Sequence, residues 1–258
     1  MPSWNIHTAQ VERLLADRGA DDLGIADPNV FLFGNYVPDI YLGFMVPDIT
    51  YRIDYCLTHR AGIGLIPVPN ADAFWDDYIY RRRPKTPAGL SLALGAWAHL
   101  VADRFYNGRF RTYWAHHDMP EGDELRTSKQ ADFELFGRSL GVSSLVQATP
   151  ELFEAAQGFR AYSILHDDVV RALDVANAIV RGEVDPMPRE EYQLLSESWM
   201  TETFDACNER LITWLTTWLE LEENECRASS VDVRAAAGLQ PATPDDPNWA
   251  SAGKAKRM

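Results

Sequence analysis

At 258 residues, 46% of them hydrophobic, the chain is long enough to bury one large core, and its length calls for no second domain. A formal net charge of -14 argues against a surface that neutralises many phosphates, so neither long nucleic acids nor anionic membrane surfaces are expected partners. Cys56, Cys207 and Cys226 are widely spaced, with no Cys-x-x-Cys, which points to free thiols rather than a disulfide framework or thiolate metal site.

The N-terminus shows no basic segment leading into an apolar run, and no stretch approaches a membrane span, so a cytoplasmic protein without stable membrane insertion is expected. From His7 to Arg18, Val11, Leu14 and Leu15 recur at helical spacing and Gly19 is the stop, which puts a histidine at the start of a helix. Residues 29–53 are aromatic, rich in Gly and Pro, and contain two Val-Pro-Asp triplets. Proline disfavours helix for the residue before it, so this segment reads as an ordered loop with short helical turns, and ordered loops of that length are usually functional. Ala73 to Tyr80 reads as a short helix closed by Arg81-Arg82-Arg83-Pro84, whose cations suit a helix C-terminus.

Pro87 to Tyr106 is the strongest helix, apolar on most sides and therefore expected to run through the core. Asp123 to Leu140 continues the helical pattern, followed by helices over 151–157, 167–181 and 189–221, the last in two pieces. Beyond about Arg227 the chain turns to Ala, Ser, Pro and Asp. Strand signals are nearly absent, so the expectation is an all-α, single-domain bundle over 1–227 with a mobile tail over 228–258.

His99 and Asp103 stand four apart on the most apolar helix, on one face and one turn apart. Buried there, they need partners, which either a metal ion or a core hydrogen bond between them would supply. The balance moves towards metal because three of only six histidines, His7, His59 and His99, lie in otherwise apolar segments, and the proline of Gly34-Asn-Tyr-Val-Pro-Asp39 fixes the backbone just before Asp39. Nitrogen and oxygen donors without thiolates suit Zn²⁺, with Fe²⁺ or Mn²⁺ as substitutes, at one or two ions.

The ordered set Trp4 and His7, Phe33-Gly-Asn-Tyr-Val-Pro-Asp39, Thr58-His59 and Gly95-Ala-Trp-Ala-His99-Leu-Val-Ala-Asp103 resembles the zinc-dependent phospholipase C and single-strand nuclease superfamily over the first 105 residues or so. The resemblance implies an all-helical fold holding up to three zinc ions. Asp39, His59, His99 and Asp103 would hold the first, and Asp103 would bridge to another held with His7. Two departures stand out. Trp4 is internal, where secreted members begin at the Trp and ligate through its amino group. Arg109 stands where the pattern has a histidine, and Arg126-Thr-Ser-Lys129-Gln-Ala-Asp132 replaces the later His and Glu, so the third zinc is not expected.

The implied activity is a zinc-dependent phosphoesterase acting on a small phosphodiester or lipid headgroup through metal-activated water, with Asp39 and Asp132 as candidate bases. Lys129 and Arg109 would contact the substrate phosphate, or else pair with Asp132 or Glu134 as structural salt bridges. Tyr36, Tyr41, Phe44 and Trp97 are either pocket lining or core. Two other readings stand beside this one: a non-catalytic metal-binding protein with a degenerate cluster, and an HD-domain-like phosphohydrolase built on His116-His117-Asp118 or His166-Asp167-Asp168. Helix capping by Asp and solvated histidines are the favoured account of both of those triplets. The Trp-rich stretch Trp199 to Trp218 suits core or a dimer face, which leaves an oligomer open.

Overall fold

Helix starts in this chain are written in short polar caps followed by proline. Thr86 accepts a hydrogen bond from Gly89 N at 3.1 Å ahead of Pro87, Asp27 caps Val30 N at 3.0 Å ahead of Pro28, and Thr149 caps Leu152 N at 3.2 Å ahead of Pro150. A computed structural model describes residues 2–184, 191–224 and 227–239. Its helices are α1 (Trp4–Arg18), α2 (Pro28–Gly34), α3 (Val37–Ile40), α4 (Tyr55–Thr58), α5 (Ala71–Trp75), α6 (Pro87–His116), α7 (Gly122–Ser139), α8 (Pro150–Gln157), α9 (His166–Val180), α10 (Glu197–Glu223) and α11 (Ser230–Ala236). Among the described residues there is no strand, so the fold is all-α, as expected.

The central element is α6, 30 residues long and buried almost continuously from Ser91 to Gly108. A helix apolar all round is stable only when surrounded, and α6 packs against α2, α5, α8 and α10. Its tightest neighbour is α2, where two glycines let the backbones meet: a Cβ on Gly95 would lie 2.1 Å from Phe31 O, and one on Gly34 would lie 2.4 Å from Leu92 O. Both obstructing atoms are backbone and cannot swing away. We expect Gly95→Val to lower stability by about 3 kcal/mol, read from the denaturant midpoint, by forcing α2 off α6.

On the other side of α6, Trp75, Trp97 and Trp214 pack at ring separations of 4.9 and 5.4 Å, with Trp218 against Trp75 at 5.6 Å. Trp214 and Trp218 are therefore spent in the core of this chain rather than on an outer face.

Several boundaries depart from the sequence reading. Residues 29–53 hold two true helical segments, because Pro38 sits in the first turn of α3, where its missing N–H costs nothing. The short helix over 73–80 begins at Ala71 and passes into a π-helical turn, Asp76–Arg81. α6 runs ten residues beyond Tyr106. α10 is one continuous helix starting at Glu197, capped by Ser196 through Trp199 N at 3.2 Å, rather than two pieces from 189.

α11 lies inside the expected tail, 228–258. A capping box between Ser229 and Asp232 starts it, Val233 is fully buried, and Arg234 forks onto the Asp72 carboxylate at 2.8 Å. The remaining expected tail, 240–258, lies outside the described residues, as does Cys226. No helix among the described residues is long and apolar enough to cross a membrane.

Candidate metal centre

Four separate elements deliver the five predicted ligands to one place. His7 comes from the first two turns of α1, Asp39 from α3, His59 from the C-terminal end of α4, and His99 with Asp103 from one face of α6. All five are 0% exposed. They form two overlapping groups of converging donor atoms, His7 with His99 and Asp103, and Asp39 with His59 and His99. Within them His59 Nε2 lies 3.4 Å from both Asp39 Oδ1 and Asp103 Oδ2, His99 Nε2 is 3.7 Å from Asp39 Oδ1, and His7 Nε2 is 3.5 Å from Asp103 Oδ1.

The surrounding hydrogen bonds decide which ring atoms face inward. His99 Nδ1 is 2.7 Å from the Asn35 carbonyl, which can only accept, so Nδ1 carries the hydrogen and Nε2 presents a lone pair. Thr58 Oγ1 donates to Tyr55 O at 3.4 Å and so has a lone pair left for His59 Nδ1–H at 2.7 Å. That arrangement turns the His59 Nε2 lone pair inward as well. The two Nε2 atoms are then 3.1 Å apart, lone pair against lone pair, an arrangement that a shared cation relieves.

Each carboxylate is treated the same way: one oxygen is held and the other left bare. Trp4 Nε1 donates to Asp39 Oδ2 at 3.0 Å and Tyr55 Oη donates to Asp103 Oδ2 at 2.8 Å. Asp39 Oδ1, Asp103 Oδ1 and both ring nitrogens of His7 are buried without a hydrogen-bond partner. Leaving such groups unpaired costs about 1–3 kcal/mol each, a price that a divalent ion removes. His99 belongs to both groups, so an ion held by Asp39, His59 and His99 and one held by His7, His99 and Asp103 would share it.

Protonation follows the same logic. Burial alone would raise the Asp39 and Asp103 carboxyls, but His99 leads the opposing contributions from the neighbouring rings and both end below the ordinary carboxylate range. Burial, reinforced by His7, pushes His99 down to about 3. Ionised carboxylates beside a neutral imidazole are the forms that bind metal. Burial and the adjacent Asp103 hold the Tyr55 phenol well above its usual value, so it keeps its proton and its bond to Asp103.

Of the other predicted residues, Asp132 belongs elsewhere. Its carboxylate accepts the backbone N–H groups of Gln193, Leu194 and Leu195 at 2.9, 2.8 and 3.0 Å, clamping the chain that leads into α10. With both oxygens so engaged it anchors this segment. Arg109 also turns away from the centre, to Glu202 at 3.3 Å and over the Trp199 ring. Lys129 is buried and reaches Asn107, one turn beyond Asp103 on α6.

His116, His117 and Asp118 are exposed at the end of α6, each histidine donating from Nδ1 to the carbonyl four residues back. His166 and Asp167 are exposed too, whereas Asp168 is a buried acceptor for Tyr41, Thr50 and Arg171 that ties α9 to the loop after α3. Neither triplet gathers ligands. Trp97 and Tyr36 are core, Tyr41 binds Asp168, and Phe44 is exposed.

Sequence reasoning did not find Tyr55, the Asn35 carbonyl or the Thr58 hydroxyl, the groups that orient the ligands. Proximity to Asp39 and His59 in the sequence was the only signal for them. No family model, curated protein or solved structure matches the chain.

Proposed function

We propose that the protein is a zinc-dependent phosphoesterase that hydrolyses a small phosphodiester, with Fe²⁺ or Mn²⁺ as substitute ions. The observation that carries this is the inward-facing donor set: two imidazole lone pairs 3.1 Å apart flanked by two half-satisfied carboxylates in a buried site. Three nitrogens and two carboxylates without sulfur suit zinc, and the order of ligands along the chain resembles that of the zinc-dependent phospholipases and nucleases. Bound there, the ion would supply Lewis acidity towards water and a phosphoryl oxygen. The chain's own residues do the rest. Asn35 and Thr58 orient the rings, Trp4 and Tyr55 hold the outer carboxylate oxygens, and Asp39 would act as the base through Oδ1, one of the two bare carboxylate oxygens.

One observation favours a second reading, a metal held for stability alone: every ligand is fully buried. The two readings separate on turnover. Protein stripped with chelator and restored with zinc should hydrolyse a chromogenic phosphodiester at least about 100-fold faster than stripped protein. Full zinc occupancy with no turnover on a panel of nucleotide, lipid-headgroup and sugar diesters would assign the centre to the non-catalytic class.

A further inference from the structure

A cleft lies between α5, α6, α10 and α11, on the side of α6 turned away from the metal ligands. At 3.6 residues per turn, Trp97 and Arg104 leave α6 roughly opposite His99. Six side chains set the chemistry of the cleft: Asp72 from α5, Trp97 and Arg104 from α6, Arg210 and Trp214 from α10, and Arg234 from α11. Asp72 and Arg210 are partly exposed, which gives it a mouth.

An indole or a guanidinium can only donate, so five of these six side chains are donors without acceptor capacity. The two indoles carry the argument. Trp97 is 1% and Trp214 2% exposed, and among the described residues neither Nε1–H has a hydrogen-bond partner. A buried donor left unmatched is costly, so two on one wall mark a place where an acceptor belongs. Asp72, the one acceptor of the six, is already engaged: Arg234 Nη2 lies 2.8 Å from each of its oxygens, Arg234 Nε 3.0 Å from Oδ2, and Arg104 Nη1 3.6 Å from Oδ1.

The guanidiniums decide the charge of what meets the indoles. Three of them stand with one carboxylate round the cleft, in a chain whose formal net charge is -14. Cations gathered against the overall charge and beside apolar walls draw an anion to that spot. Size narrows the choice. The cleft measures about 20 Å³, where one water needs about 10–15 Å³, so it suits a group of a few heavy atoms and not a nucleotide. Its donors come from three helices, more directions than the two coplanar oxygens of a carboxylate can meet, whereas a tetrahedral oxyanion offers four oxygens.

We propose that this cleft is a second binding site, separate from the metal centre, for a small tetrahedral oxyanion of the phosphate class. Arg104 and Arg210 supply the charge, Trp97 and Trp214 the neutral donors, and Arg234 stays on Asp72 and closes the wall. The site does not depend on what the metal centre does. Occupied, it ties α10 to α6, so the anion stabilises the fold by mass action.

The test titrates inorganic phosphate into full-length protein by calorimetry, both zinc-loaded and stripped of metal and dialysed free of chelator, for wild type, Arg210→Gln and Trp97→Phe, with acetate as the comparison anion. We expect saturable phosphate binding that survives metal removal and is tighter than that of acetate. Arg210→Gln should weaken it by about 10- to 100-fold, the worth of charge-assisted hydrogen bonds, and Trp97→Phe, which keeps an aromatic ring and removes the N–H, by about two- to tenfold. Phosphate binding seen only with zinc would put the anion on the metal and overturn the proposal. So would acetate binding as tightly as phosphate, or no saturable binding of phosphate at all. Unchanged affinity in folded Arg210→Gln overturns it too, and if that variant loses its fold, Trp97→Phe decides alone on the same criterion.

Discussion

Asp103→Ala is expected to abolish metal binding while leaving the metal-free protein folded. Asp103 is the residue that touches both halves of the centre, with His7 on one oxygen and His59 and Tyr55 on the other. Losing an outer-shell partner of a metal ligand already costs about 10- to 100-fold in affinity, so losing the shared carboxylate should cost more than about 100-fold. In metal-free protein Asp103 is held ionised below its unfolded value by the neighbouring rings, so the variant also loses that contribution and melts lower while staying folded. Elemental analysis after purification without chelator should find zinc in wild type and almost none in the variant.

A thermal measurement separates the alternatives more sharply. Zinc at a thousandfold excess over its Kd stabilises by about 4 kcal/mol, about 8 to 16 °C for a chain of this size, and Asp103→Ala should lose that increment. If His99 and Asp103 were only a hydrogen-bonded core pair, zinc would leave the wild-type Tm where it was. The variant would then be destabilised by about 3–5 kcal/mol with or without zinc.

Acid should destabilise the metal-free protein well above the pH at which carboxylates titrate. The sign follows from His99, which sits at about 3 in the folded chain against an ordinary value of about 6.5 when unfolded. Between those values the unfolded chain takes up a proton that the folded chain refuses, so stability falls as pH falls, by about 1.4 kcal/mol per pH unit for this one group. Asp39 and Asp103 are held below their unfolded values, so their contribution is present above about pH 4 and is lost only as pH falls further. From pH 6.5 to 4, then, His99 sets the slope. Chelated protein melted across this range should show a steep decline that His99→Gln flattens. A flat Tm in chelated wild type between pH 6.5 and 4.5 would show that His99 takes up a proton in the folded chain as readily as in the unfolded one.

The helical class and the members of the buried His/Asp cluster were legible in the residues themselves. The 3.6-residue apolar period of α6 and the proline-led caps are local properties, readable wherever the chain goes, and an imidazole four residues before a carboxylate shares a face in any α-helix. What a linear pattern cannot carry is which distant backbone atoms meet. The Asn35 carbonyl that fixes the His99 tautomer arrives there because Gly34 and Gly95 let α2 and α6 touch.

Asp132 shows the limit from the other side. By residue type it was a fair candidate base, and only the chain entering α10, more than sixty residues away, revealed that its oxygens are taken by backbone amides. α11 is hidden from the sequence for the same reason, since a composition of Ala, Ser and Asp gives no sign that Val233 finds a buried seat and that Arg234 finds Asp72. Sequence alone determined which side chains have metal-binding chemistry and that they ride on helices, because those are properties of residue type and spacing. Tertiary structure alone decided which oxygens stay bare, which ring nitrogens face inward and which charged groups are already engaged, because hydrogen-bond saturation is a property of neighbours brought together by packing.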